Sequence, residues 1–127
     1  MKTILVVDDE KNIRRLYDKE LTREGYKVLV ASNGKEALQM VDSAPTPPKL
    51  IVLDIRMPKM DGVETLGHLM AKHRKIPVII NSAYSSHMDN YLTWAAEAYV
   101  IKSSDLSELK NKIREVMEKY YPPEPAM

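Results

Sequence analysis

Five short apolar runs punctuate the chain: residues 4–7, 28–30, 50–53, 78–80 and 98–101. They are mostly β-branched residues and leucine, without polar alternation, which is how strands covered on both faces read. Between them, apolar positions recur at helical spacing. Ile13, Leu16, Tyr17 and Leu21 share one face, with Gly25 following as a stop. Ala37, Leu38 and Val41 form a shorter stripe behind the capping pair Ser32-Asn33. Val63, Leu66 and Met70 mark a third helix with Asp61 at its start, and Met88, Tyr91, Leu92 and Ala95 outline a short fourth over 84–95. Leu106, Leu109, Ile113, Val116 and Tyr120 define the last helix, and Asp105 with Glu108 has capping-box spacing at its start.

Strands alternating with helices predict an α/β fold: a three-layer, doubly wound, five-stranded parallel sheet with right-handed crossovers. The favoured order at this size is 2-1-3-4-5, the flavodoxin-like arrangement. Residues 1–121 form the expected domain. Pro122-Pro123-Glu124-Pro125 cannot continue a helix, so 122–127 reads as a proline-rich tail or a linker stub. Residues 43–48, rich in proline, read as a spacer at the amino edge of the sheet.

Composition narrows the classes. A chain of 127 residues that is 44% apolar supports one domain with one sizeable core. Nineteen basic residues against 18 acidic ones, a formal charge of +1, give neither a nucleic-acid footprint nor a polybasic membrane patch. The absence of cysteine excludes disulfides, iron–sulfur clusters and thiolate zinc sites. The three histidines, His68, His73 and His87, are scattered. The first apolar run is too short for a signal peptide or a bilayer span, so a soluble, cytoplasmic protein is expected.

In a doubly wound sheet, ligands bind beyond the carboxyl ends of the strands, near the point where strand order reverses. Asp8, Asp9 and Glu10 follow the first run, Asp54 the third, Asn81 and Ser82 the fourth, and Lys102 and Ser103 the fifth. The predicted order therefore gathers Asp8, Asp9 and Asp54, with a hydroxyl and an ammonium on adjoining strands. Clustered carboxylates repel, and a hard divalent cation relieves them. Magnesium, which takes one or two carboxylates with waters and phosphate oxygens, suits the set. A carboxylate beside magnesium, with Lys102 and Ser82 near, fits phosphoryl transfer onto Asp54. Each residue also has a plainer role: Asp8 or Asp9 as a helix cap, Asp54 as a turn residue before Met57-Pro58, Ser82 as a cap, Lys102 as a solvated charge. Their coincidence at one sheet edge favours chemistry.

With Val7-Asp8-Asp9-Glu10, the stretch from Leu53-Asp54 to Asp61-Gly62 and Ala98-Tyr99-Val100-Ile101-Lys102, the chain resembles the receiver domain of bacterial two-component response regulators, a CheY-like fold, from about Lys2 to Tyr121. The resemblance implies that Asp54 is the phosphoacceptor. Asp9 and Asp54 would be direct magnesium ligands, Asp8 the acid that usually holds the metal through water, and the Arg56 carbonyl a further ligand. Ser82 would be the switch hydroxyl, Ala83 the small residue beside it, Lys102 the phosphoryl-pairing lysine, and Tyr99 an aromatic that turns inward. Tyr99 is equally a core ring in a strand. The implied donor is a sensor histidine kinase or histidine phosphotransfer protein. The implied output is a downstream effector protein or a missing C-terminal output domain. A phosphorylation-dependent dimer is compatible with the reading without support of its own in the sequence.

Ser103 departs from the pattern, because the family usually places a cis-proline after the lysine. A cis bond before a non-proline residue costs about 3 kcal/mol, so a trans bond is expected. Ala95 replaces a common glycine, and Arg56 and Tyr84 occupy variable positions expected to influence dephosphorylation. Two other functions fit the chemistry. One is a magnesium-dependent aspartyl-phosphate phosphohydrolase resembling the haloacid dehalogenases. That family wants a second aspartate two residues after the nucleophile, where Asp8-Asp9-Glu10 offers glutamate. The other is a receiver-like interaction module that is never phosphorylated. The receiver reading makes the chain no enzyme beyond catalysing its own phosphorylation and slow dephosphorylation.

Overall fold

The computed structural model describes residues 2–55, 62–83 and 95–123. Five parallel strands, β1 (Thr3–Val7), β2 (Lys27–Ala31), β3 (Leu50–Leu53), β4 (Val78–Ser82) and β5 (Ala98–Ile101), form one sheet in the order β2-β1-β3-β4-β5. The expected topology holds. β4 extends through Asn81 and Ser82, which pair with Val100 and Ile101, whereas the sequence places them beyond the strand. Tertiary pairing overrides the weak strand preference of Asn here.

Four helices lie among the described residues: α1 (Lys11–Arg23), α2 (Gly34–Ser43), α3 (Gly62–Lys72) and α4 (Ser107–Tyr120). The helix expected over 84–95 falls outside them except for Ala95, as do Arg56, Asp61 and Tyr84. No described peptide bond is cis, so Lys102–Ser103 is trans.

Local signals explain the helix ends. Gly25, at φ 96°, follows the cap of α1. Its N–H donates to the Thr22 carbonyl at 3.0 Å while Tyr26 N–H donates to Leu21 at 3.3 Å, the paired bonds of a Schellman stop. Asn33 caps α2, its Oδ1 accepting the Glu36 N–H at 2.8 Å. At α4 the expected capping box does not form. Asp105 lies one residue before the Leu106 cap, and its carboxylate accepts the Ser107 N–H at 2.9 Å. This shift puts Glu108 in the second helical position, out of capping-box register.

Strand alternation divides the core into two layers. Leu5, Val7, Ile51, Leu53, Val78 and Ile80 pack against Ala37 and Val41 of α2 and Leu66 and Leu69 of α3. Ile4, Val6, Leu50, Val52, Ile79 and Val100 face Tyr17 and Leu21 of α1 and Leu109, Ile113 and Val116 of α4. Leu16 is exposed, so the buried stripe of α1 is narrower than its apolar pattern implies. Truncating the fully buried Ile113 to alanine would cost about 3 kcal/mol.

Candidate functional site

The backbone ladder continues one residue past three strands. Asp54 N–H donates to the Val7 carbonyl at 2.9 Å, Asp8 N–H to Ala31 at 3.1 Å and Lys102 N–H to Ser82 at 2.8 Å. Alternation then decides which side chains meet. Asp8 continues the Ile4–Val6 series, Asp54 the Leu50–Val52 series and Lys102 follows Val100, all of the α1/α4 layer. Ser82 follows Val78 and Ile80, of the opposite layer.

Lys102 joins the two buried carboxylates. Its Nζ lies 2.7 Å from Asp8 Oδ2 and 3.4 Å from Asp54 Oδ2. Burial by itself disfavours the ammonium, but the hydrogen bond it donates to Asp8 and the charge of Asp54 outweigh this and hold its pKa above the ordinary lysine value. The other oxygen of Asp8 accepts the Glu10 N–H at 2.9 Å, and its carbonyl accepts from Arg14 at 2.9 Å. Asp8 therefore shapes the turn into α1 as well as facing the lysine.

Asp9 and Glu10 are exposed, and with Asp8 they bring carboxylate oxygens within 4.8 Å of one another. This compact set of hard oxygens suits magnesium, which keeps several waters. The sequence grouped Asp54 with Asp8 and Asp9. The structure adds Glu10 to the close group of Asp8 and Asp9, and Lys102 links Asp8 to Asp54. The Arg56 carbonyl lies outside the described residues.

Ser82 is fully buried, and Tyr99 packs partly against the α2/α3 core layer. Burial raises the Tyr99 hydroxyl pKa, a hydrogen bond with Ser82 draws it back, and the charge of Asp54 pushes it up again. The Tyr99 hydroxyl therefore senses both Ser82 and the charge of Asp54. Ala83 is exposed beside them.

One buried polar pair escaped the sequence reading. The Tyr17 hydroxyl donates to Asn81 Oδ1, and Asn81 Nδ2 donates to the Val100 carbonyl at 3.0 Å. Burial is the first cause that raises the Tyr17 pKa from 10.0 to about 12; Lys102 opposes it, and Asp8 and Asp54 reinforce it. The phenol thus sits under the charged cluster. Its signal in the sequence was a polar residue closing the apolar run Val78-Ile79-Ile80, since a buried amide demands partners.

Gly62 fixes the far wall. Its N–H donates to the Ile55 carbonyl at 2.6 Å. A Cβ there would lie 2.2 Å from the Asp54 carbonyl oxygen and 2.4 Å from Ile55 Cα. Only glycine lets α3 start against the Asp54 backbone.

A parallel doubly wound sheet with an acid–lysine cluster at its carboxyl edge defines a CheY-like domain. Residues 4–114 match the family model for the response regulator receiver domain, and the chain belongs to that family, the receivers of two-component systems. It is 41% identical over 116 residues to a probable transcriptional regulator ycf27 of Pyropia yezoensis, covering 90% of this chain and 46% of that protein. The chain spans about half the length, or less, of the curated relatives it matches. Among solved structures it resembles the response regulator TrrA of Thermotoga maritima in complex with Mg2+-BeF, at 43% identity and TM-score 0.87, covering 91% of this chain and 99% of that one. It also resembles TrrA in complex with the histidine kinase ThkA, at 42% identity and TM-score 0.83, covering 92% and 99%. No described helix is long and apolar enough to cross a membrane.

Proposed function

We propose that the chain accepts a phosphoryl group on Asp54 from a histidine kinase or a histidine phosphotransfer protein and thereby switches a partner-binding surface. The observation that carries this is the Lys102 ammonium within 3.4 Å of Asp54 Oδ2, beside buried Ser82. In the forward step an Asp54 carboxylate oxygen attacks phosphorus. The P–N bond of the donor phosphohistidine breaks, and its electron pair stays on the imidazole, which takes up a proton. An acyl phosphate forms. Hydrolysis later adds water at phosphorus, returning the carboxylate and releasing phosphate. Magnesium held by Asp8, Asp9 and Asp54, with the Arg56 carbonyl, would offset the negative charge that spreads over the phosphoryl oxygens.

Lys102 supplies the matching positive charge and would exchange Asp8 for a phosphoryl oxygen. The new group adds about −1.5 to −2 charges and three acceptor oxygens. Ser82 would turn its hydroxyl towards one of them, and Tyr99, its present partner, would follow. That changes the face of β5 and α4, which an effector or a C-terminal output domain would read. Names of relatives that are transcriptional regulators or form a kinase complex support these partners. The reading takes the domain to residue 121, with 122–127 a tail or linker stub, in the cytoplasm, without nucleic-acid contact of its own.

Acetyl phosphate with magnesium tests the proposal. The expected product is one phosphoryl group per chain by intact mass, labile to hydroxylamine and absent from Asp54→Asn. Undiminished labelling of that variant would overturn it, and so would an unlabelled parent. Turnover of many phosphate esters would favour the phosphohydrolase instead.

A further inference from the structure

Tyr17 and Asn81 are both buried in the core layer that carries Asp8, Asp54 and Lys102. Neither belongs to the acid cluster, yet together they tie three elements beneath it. The phenol on α1 donates to the Asn81 amide on β4, and the amide donates to the Val100 carbonyl on β5 at 3.0 Å. Each end of this chain adjoins a site residue. Asn81 precedes Ser82, Val100 lies two positions before Lys102, and Lys102 N–H closes on the Ser82 carbonyl at 2.8 Å. On α1, Arg14 reaches the Asp8 carbonyl at 2.9 Å, one turn before Tyr17.

We infer that Tyr17 and Asn81 are positioning residues: a buried polar brace that sets the ends of β4 and β5, and so places Lys102 and Ser82 relative to Asp54 for phosphoryl transfer. The inference rests on the proposed phosphorylation of Asp54. Apolar side chains would fill the same space, as they do elsewhere in this layer, but they are non-directional. Hydrogen bonds fix direction and separation. A lysine that must trade one oxygen for another tolerates little slack, since small misplacements of charged groups cost rate steeply.

The test compares the parent, Tyr17→Phe, and the double variant Tyr17→Phe/Asn81→Val. The single change strands a buried amide oxygen and lowers the unfolding midpoint. The double change removes both polar partners, so it recovers stability relative to Tyr17→Phe. A merely structural pair would recover its labelling rate as well. The brace predicts otherwise: both variants label with acetyl phosphate about tenfold more slowly, as found when groups behind a reactive centre are lost, with the acetyl phosphate concentration for half-maximal rate unchanged. Lys102 amide hydrogen exchange is faster in both. A parental labelling rate in either folded variant would overturn the inference, whatever the exchange shows. An unlabelled parent would instead overturn the Asp54 reading, while faster Lys102 exchange in the variants would still report the brace.

Discussion

Lys102 holds Asp8 at 2.7 Å and Asp54 at 3.4 Å, so its shorter bond is to Asp8 and its longer one to the expected acceptor. The two carboxylates are almost fully buried, at 2% and 5% exposure, which makes the intervening positive charge matter for folding as well as for chemistry. Breaking a buried pair by deleting one partner costs more than the pair contributes, because the remaining charge stays desolvated.

Lys102→Met keeps the apolar stem and removes the charge. Stability at neutral pH is expected to fall by about 3 kcal/mol in urea unfolding with EDTA present. Added magnesium should restore part of the loss by replacing the missing countercharge. If the variant matches its parent in EDTA, the ion pair carries no stabilising weight.

Two glycines of α3 are expected to respond in opposite ways. Gly62→Ala forces a Cβ into the Asp54 and Ile55 backbone, where the nearest atom lies at 2.2 Å. A loss of about 3 kcal/mol is expected, with slower labelling of the displaced Asp54. Among the described residues nothing lies within 4 Å of a Cβ at Gly67, so Gly67→Ala should stabilise the helix by up to about 1 kcal/mol. Thermal unfolding of the two variants checks the contrast, and equal effects would contradict this packing.

Alkaline pH should weaken the fold through Tyr17. Its folded pKa, about 12, lies above the unfolded 10.0, so between those values the native state keeps a proton that the unfolded chain has lost. The contribution is complete below pH 10 and is lost as pH rises towards 12, to the extent of about 3 kcal/mol. Lys102, also raised, adds to the fall above 10.5. Subtracting the Tyr17→Phe stability curve from that of the parent isolates the tyrosine; parallel curves would remove it as the cause.

Ser82→Ala deletes the hydroxyl that Tyr99 meets. The expected cost is about 1 kcal/mol. Asp54 should still be labelled, while the change at Tyr99 on labelling, followed by NMR of the ring, should shrink. A full response at Tyr99 would show that the aromatic moves independently of the serine.

The sequence by itself determined the sheet. Apolar runs this short and this rich in β-branched residues read as strands covered on both faces, and helical stripes between them favour parallel crossovers, which bring Asp8, Asp54 and Lys102 to the same edge. Caps such as Asn33 and stops such as Gly25 were legible because their hydrogen bonds are local. Tertiary structure alone decided that β4 runs on to Ser82, that Lys102 favours Asp8 over Asp54, and that Tyr17 finds Asn81, 64 residues away. Those outcomes depend on strand register and on distances between buried groups remote along the chain, which residue spacing does not encode. A polar residue in an apolar run shows that a partner is needed; packing selects the partner.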